Sequence, residues 1–177
     1  FATAVVGSPA RNPANVAPLN RVQLGSNAAS LTQWASGTPG ELVLGALTFW
    51  DTTPNNGAVD GGTGTWDTST INWTTSTGTA NGLWAGGTNV AIFQGTAGTV
   101  TVSGTQSFGG LTFGTTGYTI TGGTALSLAQ DATIATPTSG TATLSTPITG
   151  TNAVTFTTGT AILGGTHTYS GATIVSS

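Results

Sequence analysis

Val100-Thr-Val-Ser-Gly104 is followed by Leu111-Thr-Phe-Gly114, Tyr118-Thr-Ile-Thr-Gly-Gly123, Leu126-Ser-Leu128 and Val154-Thr-Phe156. Each phrase runs apolar, polar, apolar and then turns. Alternation with a period of two marks a half-buried β-strand, because successive side chains point to opposite faces. The apolar pairs Val90/Ile92, Val100/Val102, Leu111/Phe113, Tyr118/Ile120, Leu126/Leu128 and Val154/Phe156, with Ile162, make the expected inward face. The threonines between them are expected to point outward and to form ladders between neighbouring strands. Three such strands per coil give a rung of roughly 20–30 residues, a length typical of solenoid repeats. With rungs ~4.8 Å apart, the stack from Trp66 onward rises about 20–30 Å. The sequence therefore reads as all-β: a parallel β-solenoid (β-helix) over residues 46–177. A β-sandwich is the structural alternative, because short strands with Gly-rich turns also build two packed sheets.

Composition agrees with sheet rather than helix. The 177-residue chain carries 28 glycines, and only 4% of its residues are charged. Thr and Val suit a pleated surface, while Gly and Pro break helices. Disorder usually combines low hydrophobicity with high net charge; here 37% of residues are hydrophobic and the net charge is −3. Two arginines and no lysine leave too few cations for a phosphate-binding face, so no nucleic-acid partner is expected. No apolar run approaches the roughly 20 residues of a spanning helix, and the strands are short for an outer-membrane barrel, so no membrane insertion is expected. Without cysteine there is neither a disulfide framework nor a thiolate zinc site. The chain begins at Phe1 and contains no methionine. A cleaved secretion signal would explain that, as would a sequence that is a fragment of a longer one; an extracellular location is expected.

Residues 1–45 differ from the rest and read as an extended, irregular segment. Arg11-Asn-Pro-Ala-Asn-Val-Ala-Pro18 is Pro- and Asn-rich and is expected to be looped. Val22 and Leu24 alternate with polar neighbours, Ser30-Leu-Thr-Gln-Trp-Ala35 suggests one helical turn, and Glu41 to Phe49 reads as a strand on Leu42, Leu44, Leu47 and Phe49. Asp51 to Gly64 is rich in turn residues. Trp66, Trp73 and Trp84 follow, and such large rings are expected to cap or widen the first rungs.

Chemistry-bearing residues are few. Pectate-lyase-like and glycosidase β-helices need clustered acids. The five carboxylates here, Glu41, Asp51, Asp60, Asp67 and Asp131, form no such pair. Asp51, Asp60 and Asp67 share a loop region and could surround calcium, but turn and Asx-capping roles fit them better. His167 is the one histidine. A hydrolytic triad would need it beside Asp131 and a serine, yet no Gly-x-Ser-x-Gly elbow is present. No catalytic residue, metal ligand or cofactor is assigned. Trp66, Trp73 and Trp84 are candidates for stacking on sugar rings, against the plainer reading of core packing.

Gly64-Thr-Trp-Asp-Thr-Ser-Thr-Ile-Asn-Trp-Thr74, then Asn89-Val-Ala-Ile-Phe93 and Thr99-Val-Thr-Val-Ser-Gly104, resemble the autotransporter-associated β-strand repeat family. Its members open with a Trp-Asp…Trp-Thr phrase and continue through an Asn/Asp-x-Ala/Val-x-Phe strand to Val-Thr-Val. Gly159 to Val175, with Thr168-Tyr-Ser-Gly171 inside it, is similar to the family's closing phrase. The resemblance covers roughly residues 61–175. It implies a right-handed parallel β-helix displayed outside a bacterial cell as a passenger or surface-fibre module. The chain departs from the family in lacking a membrane barrel and in stopping at Ser177, where the pattern would continue into another strand. Solenoid ends leave unpaired sheet edges. The expected assembly edge is Thr173, Ile174 and Val175 at one end. Ala2, Val5, Val22 and Leu24 are candidate donor-strand residues from a neighbouring copy, adding by β-augmentation. Head-to-tail repetition of that contact would give a filament of a non-catalytic structural protein; equally, the bare end is what a fragment of a longer chain would show. An adhesin or carbohydrate-binding passenger module is the alternative.

Overall fold

The computed structural model describes residues 45–176. The expected features at 22–24 and 30–35, and the start of the strand expected from Glu41, lie outside them. Among the described residues there is no helix, and the strands are, in chain order, β1 (Leu47–Trp50), β2 (Gly64–Trp66), β3 (Trp73–Thr74), β4 (Asn81–Gly82), β5 (Val90–Phe93), β6 (Thr99–Val102), β7 (Thr105–Phe113), β8 (Thr119–Gly122), β9 (Ala125–Ala135), β10 (Thr141–Leu144), β11 (Ile148–Thr149), β12 (Val154–Thr157), β13 (Thr160–Leu163) and β14 (Thr173–Ser176).

These strands wind as stacked parallel coils, a β-solenoid of about 4 turns. One sheet runs β14-β12-β9-β7-β5-β1-β3-β4 and the other β13-β10-β8-β6-β2. Apart from the β3–β4 pair, neighbours are non-consecutive strands, as a coil demands and a meander of hairpins does not. The rise from coil to coil is visible in the register: Val90 pairs with Gly110, Gly110 with Thr133, Ala132 with Val154 and Val154 with Thr173. Each step spans about 20 residues, within the rung length expected from the sequence.

Each full coil contributes three short strand segments. In the long strands β7 and β9 two of these segments are continuous, and the chain turns the corner between them at a bulge. The register shifts between Phe108 and Gly110. Gly109 sits at that corner because nothing larger fits: a Cβ there would lie 2.1 Å from the Thr88 carbonyl oxygen.

Inward side chains stack in columns along the axis. Ala91, Leu111, Ile134, Phe156 and Val175 form one; Val100, Ile120, Leu144 and Leu163 form another. Outward, Thr65, Thr101 and Thr121 align, as do Thr99, Thr119 and Thr143, making the expected threonine ladders.

The inward assignment needs two corrections. In β5 it is Ala91 and Phe93 that are buried, while Val90 and Ile92 lie half-buried on the outer side. The Phe93 ring stacks on Phe113 at 5.1 Å and lies 6.1 Å from Trp50, and a one-residue slip would throw that ring outside. Trp50 imposes the same phase on β1, so Leu47 and Phe49 face outward. Ile162 is 49% exposed and also points out, because its β13 neighbour Leu163 continues the Leu144 column.

The first coil is closed by an element that the strand phrases do not announce. Between β2 and the third segment of that coil the chain leaves the solenoid path and makes the two-stranded β3–β4 ribbon. Both pairings are antiparallel, β3 with β1 and β4 with β3. The ribbon covers the free edge of β1. Its attachment is polar: Asn55 and Asn81 exchange backbone-to-side-chain hydrogen bonds at 3.0 and 2.8 Å, and Asn81 Nδ2 donates to the buried Asp51 carboxylate at 3.0 Å.

Candidate functional site

The two ends of the stack differ. At the first, four tryptophans form a single ring cluster. Trp66, Trp73 and Trp84 lie within 5.0 Å of one another, centroid to centroid, and Trp50 is 5.2 Å from Trp73. All four are nearly or fully buried. Trp50 Nε1–H donates to the Gly62 carbonyl and Trp84 Nε1–H to Ser107. The Trp66 and Trp73 Nε1–H groups have no conventional acceptor. Both rings pack at steep angles against neighbouring indoles. These buried indoles present no open face to a pyranose. Trp66, Trp73 and Trp84, considered for stacking on sugars, lie in the core at this end of the stack.

At the other end the core runs out into solvent. β13 and β14 are the terminal strands of their sheets, each paired on one side only. Along the column that starts at Ala91, Leu111 is fully buried and Ile134 nearly so, Phe156 is partly buried, and Val175 is 81% exposed. In the neighbouring column Leu144 is fully buried and Leu163 is 40% exposed. A cavity of about 430 Å³ opens between the two sheets here, lined among others by Ile134, Phe156, Ala161, Leu163 and Val175. Two of the three expected edge residues on this strand, Thr173 and Val175, border that cavity, while Ile174 points out. Ala2, Val5, Val22 and Leu24, the expected donor strand, lie outside the described residues.

Asp51, Asp67, Asp131 and His167 each accept a backbone N–H. Asp51 Oδ1 accepts the Thr53 N–H and its Oδ2 accepts Asn81. Asp67 accepts the N–H groups of Ser69 and Thr70 and the Thr70 hydroxyl. Burial works to raise the Asp67 carboxyl, but these donors together hold it below its ordinary range. Among the described residues no three His, Cys, Asp or Glu side chains gather as a metal-binding group. His167 uses Nδ1 to accept the Ile148 N–H at 3.1 Å, and Asp131 accepts the Ala153 N–H at 2.8 Å. Both tie one coil to the next.

The sequence signal missed at the open end was in β13. Thr160-Ala-Ile-Leu163 has apolar residues on both faces, so alternation alone could not say which of Ile162 and Leu163 belongs to the core.

No protein-family model and no solved structure matches the chain. It is similar to the adhesin BmaC autotransporter of Brucella suis biovar 1 (strain 1330), with 41% identity over 78 residues. The match covers 41% of this chain, and the chain spans only 2% of that relative.

Proposed function

We propose that this chain is a non-catalytic coil module of a secreted, surface-displayed passenger, and that the β13–β14 end is where the next coil docks. The observation that carries the reading is the pair of core columns that end in exposed Leu163 and Val175. A further coil would extend both sheets by parallel β-augmentation, hydrogen-bonding to the free edges of β13 and β14. It would also cover Val175 and the 40% of Leu163 still exposed, a gain of roughly 2–3 kcal/mol for the two together. The docking coil belongs either to the same polypeptide or to another copy of it, and the latter arrangement gives a homopolymer. The non-catalytic reading is supported by the use of His167, Asp51, Asp67 and Asp131 as backbone acceptors.

The test compares the chain with its Leu163→Asp/Val175→Asp variant by sedimentation velocity and negative-stain electron microscopy. End-to-end assemblies that the variant loses support self-docking. A chain that stays monomeric at high concentration overturns it. Surface display is checked separately, by antibody labelling of intact source cells; labelling that appears only after permeabilisation contradicts it.

A further inference from the structure

Buried amides along the stack donate to the next coil, and one of them meets an acceptor of a different kind. Leu126 N–H donates to the Pro147 carbonyl at 2.7 Å. Ile148 pairs with Leu126 one rung on, but its N–H donates to Nδ1 of His167, at 3.1 Å. Ile148 is fully buried, so its N–H depends on a protein acceptor. The other ties of the turn over residues 164–172 are main-chain ones. Gly164 N–H donates to the Leu144 carbonyl at 2.8 Å, Thr168 N–H to Ile148 at 2.9 Å and Ser170 N–H to Gly150 at 2.9 Å. A carbonyl accepts at any ordinary pH. An imidazole nitrogen accepts only while it carries no proton.

We propose that His167 is a proton-operated latch between the last two described coils: neutral, it pins the turn 164–172 to Ile148, and protonated, it releases that tie. The bond fixes the tautomer. Nδ1 accepts, so the single proton of the neutral ring sits on Nε2. Nε2 is itself buried and has no hydrogen-bond partner. A second proton can go only to Nδ1, where two N–H groups would then face each other. Charging the ring therefore removes its one bond, strands the buried Ile148 N–H, and finds no acceptor at Nε2. The surroundings supply no acid in its place. Residues 141–153, which include the coil beneath the ring, carry no titratable side chain. Within 164–172 the only other one is Tyr169, whose hydroxyl bonds with Thr173. Asp131 lies five residues along β9 from Leu126 and accepts the Ala153 N–H. Asp51, Asp60 and Asp67 belong to the first coil, and both arginines precede residue 45. The sign follows from which form accepts: the latch is closed when the ring is neutral and opens as pH falls through the histidine range, from about 8 to about 5. Main-chain ties elsewhere in the stack have no such dependence. The latch does not rest on what docks on β13 and β14.

The test follows amide hydrogen exchange of Ile148 in the full chain at about pH 8 and about pH 5, each rate divided by the intrinsic rate at that pH, with Leu126 as the reference amide. The expected result is a loss of Ile148 protection at the lower pH of about tenfold relative to Leu126, as for one broken bond that leaves a buried donor. Nitrogen-15 shifts of the imidazole at the higher pH should place its proton on Nε2. His167→Gln, whose side-chain amide does not titrate in this range, should make the ratio of the two amides independent of pH. A ratio in the unaltered chain that is equal at both pH values, a neutral ring with its proton on Nδ1, or a ratio that still falls with pH in His167→Gln would overturn the proposal.

Discussion

Trp73 shows how a single side chain fixes the phase of its surroundings. It touches Trp50, Trp66, Trp84 and Phe93. That one cluster decides that Trp50 and Phe93 point inward and that Leu47, Phe49, Val90 and Ile92 do not. The alternation in Val90-Ala-Ile-Phe93 could not reveal this, because apolar residues fill both faces and period two then gives two equal answers. In β6, Thr99-Val-Thr-Val102, the polar set is unambiguous, and Val100 and Val102 lie inside as the sequence predicts. Trp73→Ala should cost about 3–5 kcal/mol, read as a lower urea midpoint with an unchanged far-ultraviolet circular dichroism spectrum. Tyr118 makes a second prediction. Its hydroxyl shares its one proton between the carbonyls of Gln94 and Thr96, 2.7 and 2.8 Å away, next to Gly61, where a Cβ would lie 2.2 Å from that oxygen. Burial raises the phenol above its ordinary value of 10.0, against a smaller opposing effect of the Gly62 backbone. The folded state therefore holds this proton longer than the unfolded chain does. The stability tied to it is complete below pH 10 and is lost as pH rises through the folded value. Tyr118→Phe should lower stability by about 1 kcal/mol near neutrality and flatten the alkaline fall, measured as melting temperature against pH.

The β3–β4 ribbon and the coils were not equally legible. Strand phrases such as Leu111-Thr-Phe113 repeat, and their spacing predicts coils. The ribbon strands are two residues each, Trp73–Thr74 and Asn81–Gly82, too short for any periodic signal. What the sequence offered there was three tryptophans among turn residues, which reads correctly as a cap but says nothing of its antiparallel direction. Coils interact only with their neighbours, so stability should follow the number of coils. Deleting residues 132–153 removes one complete coil and brings Asp131 to Val154, which already occupies the column of Ala132. The shortened chain should fold with the same circular dichroism signature and a lower melting temperature. Deleting about half of that stretch shifts every later inward residue off its column and should abolish cooperative melting. Equal behaviour of the two deletions would contradict a modular stack.

Taken together, the described residues form a stack with unlike ends: four tryptophans and a polar-tethered ribbon at one, and β13 and β14, each paired on one side, at the other. Main-chain hydrogen bonds between coils hold it, with threonine ladders outside and aliphatic and aromatic columns inside. That a solenoid was foreseeable owes to the repetition of short phrases, and a tryptophan cap at one end with an unpaired edge at Thr173–Val175 was legible too; which of Ile162 and Leu163 continues the core was not, because β13 is apolar on both faces. Parallel register is the premise under all of this, and the absence of native cysteine makes it directly measurable. Four double-cysteine variants suffice: Thr99→Cys with Thr119→Cys, Thr101→Cys with Thr121→Cys, and the two crossed combinations. Cα atoms of adjacent rungs, about 4.8 Å apart, fall within disulfide range. The parallel pairing of Thr99 with Thr119 and of Thr101 with Thr121 predicts rapid oxidation of the first two variants and little of the crossed two. Preferential oxidation of Thr99→Cys with Thr121→Cys and of Thr101→Cys with Thr119→Cys would mean antiparallel strands and would contradict the solenoid.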